Sequence, residues 1–338
     1  MLKERITMTQ TVDADVVTIG ESMILFQPMT DGPLSSSHLF MKSVAGAESN
    51  VAIGLVRMKK KVRWISRVGS DPFGHMILST LAGEGIDVSH VIKDEEAPTG
   101  IYFKEFKGYG DPNVYYYRKF SAFSRFSPED VRPEWFDGAR HLHVTGITPA
   151  LGPKTAEFIR EVMKLARQKG LSISYDPNLR RKLWSEERAK EVLSSLVPLC
   201  DIFLPGIEEA QFLAGSLDVS DLGKKLLEMG AKLVVIKLGE KGSIGFFSNH
   251  TVTAPPFPVD RIVDTVGAGD AFAAGLLSAL LDEECPLDEH VLQQSLSKAL
   301  RRANVLGALA TQFKGDWEGI PFLDEVEHLM QGKETIKR

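Results

Sequence analysis

Asp264-Thr265-Val266-Gly267-Ala268-Gly269-Asp270 leads directly into Ala271 to Leu281, where Phe272, Leu276 and Leu280 recur at every fourth position. That recurrence predicts a helix beginning just inside the glycines. Unpaired amides at a helix N-terminus attract anions, and small residues let a phosphate approach the backbone. A carboxylate at the same turn adds a second capability, because Asp270 beside a bound anion can act as base toward a hydroxyl within hydrogen-bond reach. A plain helix cap on a tight turn explains the same residues, and the turn alone does not separate the two readings.

Other phosphate-binding patterns fail. Gly267 and Gly269 supply the first two glycines of a dinucleotide fingerprint, but position 272 is Phe where the third belongs, and no Gly-x-x-x-x-Gly-Lys-Ser/Thr loop occurs. A net charge of −5 spread over 338 residues argues against nucleic acid as a partner, since phosphate neutralisation needs a concentrated basic surface. The one basic run, Lys59-Lys60-Lys61, is short and reads as a solvated helix end. Hydrophobic content of 43% beside 25% charged residues excludes disorder and collagen. Cys200 and Cys285 lie far apart in apolar runs, so no disulfide framework or metal knuckle is expected, and the chain reads as cytoplasmic. Residues 1–14 are polar and lack an apolar core, which predicts a flexible tail and no signal peptide or membrane anchor; 329–338 read as a polar C-terminal tail.

The elements that must hold the turn alternate along the chain. Short β-rich runs at Val16–Ile19, Arg63–Ile65, His141–Val144, Leu171–Tyr175, Ile202–Leu204 and Leu233–Ile236 are separated by helix-period stretches. In one of these, Thr155–Ala166, Phe158, Ile159, Val162 and Leu165 share a face. The alternation predicts a mostly parallel sheet between helices, with strand-end loops gathered along one edge. Residues 24–44 and 99–119 break the rhythm with strand-like aromatic runs and predict a small antiparallel flap over that edge, ordinary surface hairpins being the plainer alternative. An exposed apolar flap is also a self-association surface, so a homo-oligomer is expected.

Three ordered segments resemble the signatures of the ribokinase-like (PfkB) carbohydrate kinases: Ala45-Gly46-Ala47-Glu48-Ser49-Asn50-Val51-Ala52, Gly69-Ser-Asp-Pro-Phe-Gly74, and Asp264 to Asp270. The resemblance covers residues 15–328 and implies one three-layer α/β/α Rossmann-like domain with a small β-lid, ATP over the C-terminal half and Mg²⁺ as cofactor. It makes Asp270 the base and the amides of Gly267, Ala268 and Gly269 the anion hole. The segment Ile236 to Gly242 resembles the family's strand-turn over the nucleotide, which puts Lys237 and Gly239 near phosphate and lets Gly242 approach closely. The helix around Ala303, Asn304 and Gly307 resembles the element against adenine. Where members carry Asn-x-x-Glu, this chain reads Gly206-Ile207-Glu208-Glu209, so Glu209 alone is implied to position hydrated Mg²⁺. Asp264 resembles a residue near the potassium site of some members.

Members that bind ribose or nucleosides carry an Asp soon after the first strand, and Gly20-Glu-Ser-Met-Ile-Leu25 has none. The lid instead offers Tyr102, Tyr116 and Arg118, and Asp176-Pro-Asn-Leu-Arg180 offers a second arginine. This combination resembles 2-keto-3-deoxygluconate kinases, and it implies that Arg118 and Arg180 recognise an acid end, with Tyr102 and Tyr116 walling the sugar and Gly46 and Asn50 opposite. A planar guanidinium fork suits a carboxylate, which neutral fructose does not have. Fructokinase is the alternative within the family, and a non-catalytic sugar-binding regulator the alternative outside it. The regulator predicts a lost base or a broken anion turn, and both are intact.

Overall fold

A computed structural model describes residues 14–30, 32–105 and 113–332. The expected N-terminal tail therefore lies outside the described residues but for position 14; of 329–338 only 329–332 are described, and the last helix continues to Met330. In chain order the strands are β1 (Val16–Ile19), β2 (Met23–Pro28), β3 (Phe40–Ala45), β4 (Val62–Ile65), β5 (Arg67–Gly69), β6 (Ile92–Asp94), β7 (Ile101–Glu105), β8 (Asn113–Tyr117), β9 (His141–Thr145), β10 (Ser172–Asp176), β11 (Ile202–Phe203), β12 (Leu233–Lys237), β13 (Ser243–Phe247) and β14 (His250–Ala254). The helices are α1 (Ala47–Arg57), α2 (Pro72–Gly83), α3 (Ile147–Ala150), α4 (Pro153–Gln168), α5 (Glu186–Leu196), α6 (Ile207–Ala214), α7 (Val219–Glu228), α8 (Ala268–Leu280), α9 (Glu289–Ala310) and α10 (Leu323–Met330).

An eight-stranded sheet runs β4-β1-β9-β10-β11-β12-β13-β14, parallel from β4 to β12 and antiparallel at its last two strands. Successive side chains of a strand point to opposite faces, and here both faces are covered. Val16, Leu233 and Val235 pack with Leu276, Leu280 and Leu296 on one side; Val17, Val234 and Ile236 pack with Phe158, Val162 and Leu193 on the other. Burial on both sides is why these strands read as continuous apolar runs. Helix α4 needs only one apolar stripe, and Phe158, Ile159 and Val162 supply it. This is the three-layer α/β/α arrangement that the alternation predicts.

Because β1 lies between β4 and β9, the chain departs from it in both directions across the sheet. Loops after β1 and β9 diverge there and leave a crevice at the strand C-termini, where open α/β sheets take ligands. Over the crevice stands a second sheet, in the order β3-β2-β7-β8. The flap is not wholly antiparallel as expected: its central pair, β2 and β7, is parallel, with Ile24 opposite Ile101. Both strands start at the sheet edge and run outward, so they lie side by side in one direction. β2 follows β1 after only Gly20–Ser22. β7 is anchored by the Gly69–Gly74 segment, in which one Asp71 oxygen caps α2 through the Phe73 and Gly74 amides at 3.0 and 2.8 Å. The other Asp71 oxygen accepts the Thr99 amide at 2.8 Å.

Smaller expectations need adjustment. Cys200 is buried, but Cys285 is exposed. Lys59 and Lys60 are not merely solvated, since they pair with Asp324 and Asp282. Among the described residues no helix is long and apolar enough to cross a membrane.

Helices α8 and α9 cross so closely at Gly275 that a Cβ there would lie 2.8 Å from the Ala303 Cα. Gly275→Val should destabilise the protein by about 1–3 kcal/mol through overpacking. Thermal or urea unfolding measures this, and an unchanged melting temperature would contradict the close crossing.

Candidate active site

Two cavities meet at the first turn of α8. One lies beneath the lid and is lined by Glu21, Gly46, Asn50, Tyr102, Tyr116 and Arg118 among others. The second is lined by Asp176, Asn178, Glu209, Lys237, Gly267 and Gly269 among others. Asp270 and Arg180 line both, so a group passing from one cavity to the other passes these two side chains.

Asp270 is buried, with Oδ2 accepting the Asn50 amide nitrogen at 2.8 Å and Oδ1 facing that of Asn178 at 3.4 Å. Burial pushes its carboxyl up to about 7; the Asn50 hydrogen bond opposes that rise and the Asp176 charge adds to it. Such a carboxylate is basic enough to take a hydroxyl proton near neutral pH.

The turn before Asp270 leaves no room for a side chain at its centre. Gly267 has φ +84°, and a Cβ on it would lie 1.8 Å from the Asp316 carbonyl oxygen. Among the described residues the amides of Gly267, Gly269 and Asp270 donate to nothing, whereas that of Ala268 turns to the Thr265 carbonyl at 3.3 Å. Free amides and the positive end of a 13-residue helix thus face the second cavity. Lys237 reaches the same point, its Nζ lying 3.6 Å from where a Cβ on Gly269 would be and 2.6 Å from Asp176 Oδ2. Burial works against the Lys237 charge, but the carboxylates of Asp176 and Glu209 outweigh it and hold the ammonium above its ordinary pKa.

The other residues expected at the nucleotide serve its surroundings. Gly239 lies exposed in the turn after β12. Gly242 packs on the chain at Ala254–Pro256, and Asn304 donates to the Ala254 and Pro255 carbonyls at 3.3 and 2.8 Å, so both brace one stretch of chain and neither lines the second cavity. Glu209 has both oxygens engaged, accepting the amides of Gly206 and Leu179 at 2.7 Å each. It thereby clamps the turn that presents Arg180. Burial, then the Asp176 charge, raises the Glu209 carboxyl. Among the described residues no group of three or more His, Cys, Asp or Glu side chains could hold a metal by itself. Because Asp176 and Glu209 already accept hydrogen bonds on both oxygens, a hydrated Mg²⁺ brought in on phosphates would meet them through its water shell and not as a dedicated cage.

Under the lid, Arg118 donates through Nε and Nη2 to Glu21 Oε2 at 2.8 and 2.5 Å, and Ser121 donates to the other Glu21 oxygen. Its guanidinium also lies over the Tyr116 ring, 5.4 Å from the centroid. Arg180 differs, for among the described residues its guanidinium has no hydrogen-bond or ion-pair partner. Tyr102 donates to Asp316 Oδ2 at 2.8 Å. Asp264, the expected potassium neighbour, accepts the Val266 amide on Oδ1 and the Lys104 ammonium on Oδ2, at 3.0 and 3.1 Å.

Sequence reasoning did not single out Glu21 as the partner of Arg118, nor Asn178, Lys104 or Asp316. Lys104 stands two residues after Tyr102, a strand period that places both on one face; nothing in the local sequence marks Asp316.

Residues 13–322 match the model of the pfkB family carbohydrate kinases. The 2-dehydro-3-deoxygluconokinase of Bacillus subtilis (strain 168) is 40% identical over 328 residues, covering 95% of this chain and 97% of that protein. The enzyme of the same name from Thermoproteus tenax is 33% identical over 320 residues, 94% of each chain. Probable fructokinase-4 of Arabidopsis thaliana is 32% identical over 320 residues, 94% of this chain and 97% of that one. Among solved structures, the PfkB protein from Polaromonas sp. JS666 superposes with a TM-score of 0.82 at 40% identity, over 93% and 99% of the two chains. A putative ribokinase II from E. coli in complex with ATP and Mg²⁺ gives 0.84 at 26%, over 94% and 99%. A double mutant of fructokinase from Vibrio cholerae O395 bound to fructose, ADP and a potassium ion gives 0.81 at 27%, over 93% and 98%.

If Asp270 must be ionised to act, kcat/KM should fall about tenfold per pH unit below about 7, and Asp270→Asn should lower kcat by roughly 10²–10⁴-fold. The same carboxyl couples to stability. Its folded pKa lies above its unfolded value, so the folded state holds the proton longer and the group's contribution to stability falls as pH rises from 3.8 toward about 7. Asp270→Asn removes that decline, and its melting temperature should gain on the parent's across this window. Parallel melting curves at every pH would show that Asp270 does not titrate there.

Proposed function

The chain belongs to the pfkB family of carbohydrate kinases, and on that premise we propose that it transfers the terminal phosphoryl group of ATP to the 6-hydroxyl of 2-keto-3-deoxygluconate. The observation that carries the choice of acceptor is the unpartnered guanidinium of Arg180. The other cations of the two cavities each have a carboxylate: Lys237 has Asp176, Arg118 has Glu21, and Lys104 has Asp264 and Asp316. With a neutral sugar Arg180 has Asp270 as a charged neighbour but no hydrogen-bonded anion, whereas a sugar acid brings the planar anion that a guanidinium fork holds best. The two 2-dehydro-3-deoxygluconokinase relatives support the same acceptor.

In this reading the sugar lies beneath the lid with its carboxylate at Arg180, walled by Tyr102, Tyr116, Gly46 and the fixed Glu21–Arg118 pair. Asn50 holds Asp270 with its nitrogen while its Oδ1 is buried without a partner among the described residues, available to accept from a sugar hydroxyl. Asp270 takes the proton of the 6-hydroxyl as its oxygen bonds to the γ-phosphorus and the bond to the β-phosphate oxygen breaks, releasing ADP. The free amides of Gly267 and Gly269 and the Lys237 ammonium face the charge that gathers on the phosphoryl oxygens. Asp176 and Glu209 would hold a Mg²⁺ through its waters, and such an ion would supply further neutralisation of phosphate charge.

Fructose is the second reading. Glu21 neutralises one of the two arginines on which an acid acceptor rests, and a fructokinase relative spans the chain at 32% identity. A coupled ADP-release assay with 2-keto-3-deoxygluconate, fructose and ribose separates them, and the sugar acid should show the highest kcat/KM. Arg180→Met should raise KM for the sugar acid by roughly 10–100-fold, the worth of a charged hydrogen-bonded pair, and leave residual activity on fructose little changed. Preference for fructose would remove this acceptor, and equal losses on both sugars would place Arg180 on the phosphates instead.

A further inference from the structure

Lys104 is wholly buried, with its side chain between the lid and the anion turn. Its Nζ lies 3.1 Å from Asp264 Oδ2 and 2.6 Å from Asp316 Oδ1, and Asp316 Oδ2 is held by the Tyr102 hydroxyl. The two acids belong to the segments that shape the anion hole. Asp264 opens the turn, caps it through the Val266 amide, and is tied by its own amide to the Thr311 carbonyl at 3.1 Å. Asp316 sits on the loop whose carbonyl packs against Gly267. Two buried carboxylates that meet at one ammonium group require that cation between them, because desolvated like charges otherwise repel.

A potassium ion at Asp264 does not fit this arrangement, since both of its oxygens are engaged and its side chain has no exposed surface. An ammonium group matches potassium in charge and closely in size. We propose that the Lys104 side chain is a built-in monovalent cation: it fixes the Asp264–Asp270 turn from the lid side, so that turnover needs no potassium, unlike an enzyme that takes its cation from solution. Lys104 is in these terms a positioning residue, acting through Asp264 and Asp316 on the amides of Gly267 and Gly269. Because β7 carries the charge, the anion hole is completed by the lid and not by the solvent.

The inference rests on the kinase reading but not on which sugar is the acceptor, and its test keeps the two apart. Wild-type enzyme is assayed with its best acceptor, ATP and Mg²⁺, with tetramethylammonium as the only monovalent cation and then with potassium substituted at equal ionic strength. The two rates should be equal; activation by potassium would overturn the proposal, while absence of turnover on every sugar in both buffers would instead defeat the kinase reading. Lys104→Ala should lose roughly 100-fold in kcat, the effect of removing one electrostatic contact from an anion hole, and should regain activity with potassium, ammonium or methylammonium but not with lithium. A folded Lys104→Ala protein that keeps full activity, or whose loss no cation relieves, would also overturn it. Should that variant not fold, the wild-type comparison decides alone.

Discussion

The sheet edge is governed by the difficulty of burying carboxylates. Asp270 must be withheld from water to be a useful base, yet Asp176, Asp264, Asp316, Glu21 and Glu48 are buried around it. The structure answers each separately. Asp176 faces Lys237, Asp264 and Asp316 share Lys104, and Glu21 takes Arg118 and Ser121. Glu48 takes the Thr145 hydroxyl at 2.6 Å but has no ion pair among the described residues, and burial pushes its carboxyl up to about 7. An ion pair closed on itself fixes shape and adds little net field, so beside the Lys237 ammonium the field at the proposed reacting centre comes from the helix terminus and from Arg180.

Much of this was legible in the sequence where one residue type answers one local need. Continuous apolar runs become strands because both faces are covered, and the stripe at Phe158, Ile159 and Val162 becomes α4 because only one is. Gly267 and Asp270 could be read because a left-handed turn and a first-turn acid leave fixed marks. What was not legible depends on closure in three dimensions. A lysine in a strand, as at position 104, reads as a solvent-facing residue until a second sheet edge comes down on it. The parallel pairing of β2 with β7 follows from where both strands start, which no local pattern records. Glu209 was visible as a carboxylate, but its engagement by the Gly206 and Leu179 amides needed the 177–180 turn in place.

The relatives share this scaffold across sugar acid and neutral sugar kinases, which the geometry makes intelligible. In the proposed reading the amides and Lys237 lie on the nucleotide side and Asp270 between the two cavities, away from the distinguishing part of an acceptor. The same reading confines choice of acceptor to the lid face and the Arg180 turn, both at strand ends. Replacing a few side chains there alters the preferred sugar without disturbing the transfer apparatus.

The bond from Asn50 to Asp270 spans 220 positions, and those from Lys104 to Asp264 and Asp316 span 160 and 212. None can form until α8 and, for Asp316, the loop after α9 have been added to the lid and the sheet, which precede them in the chain. A nascent or half-folded molecule can possess the whole lid and most of the sheet and still have neither an oriented base nor a completed phosphate cradle. Orientation of Asp270 and closure of the turn therefore wait on contacts drawn from both halves of the chain.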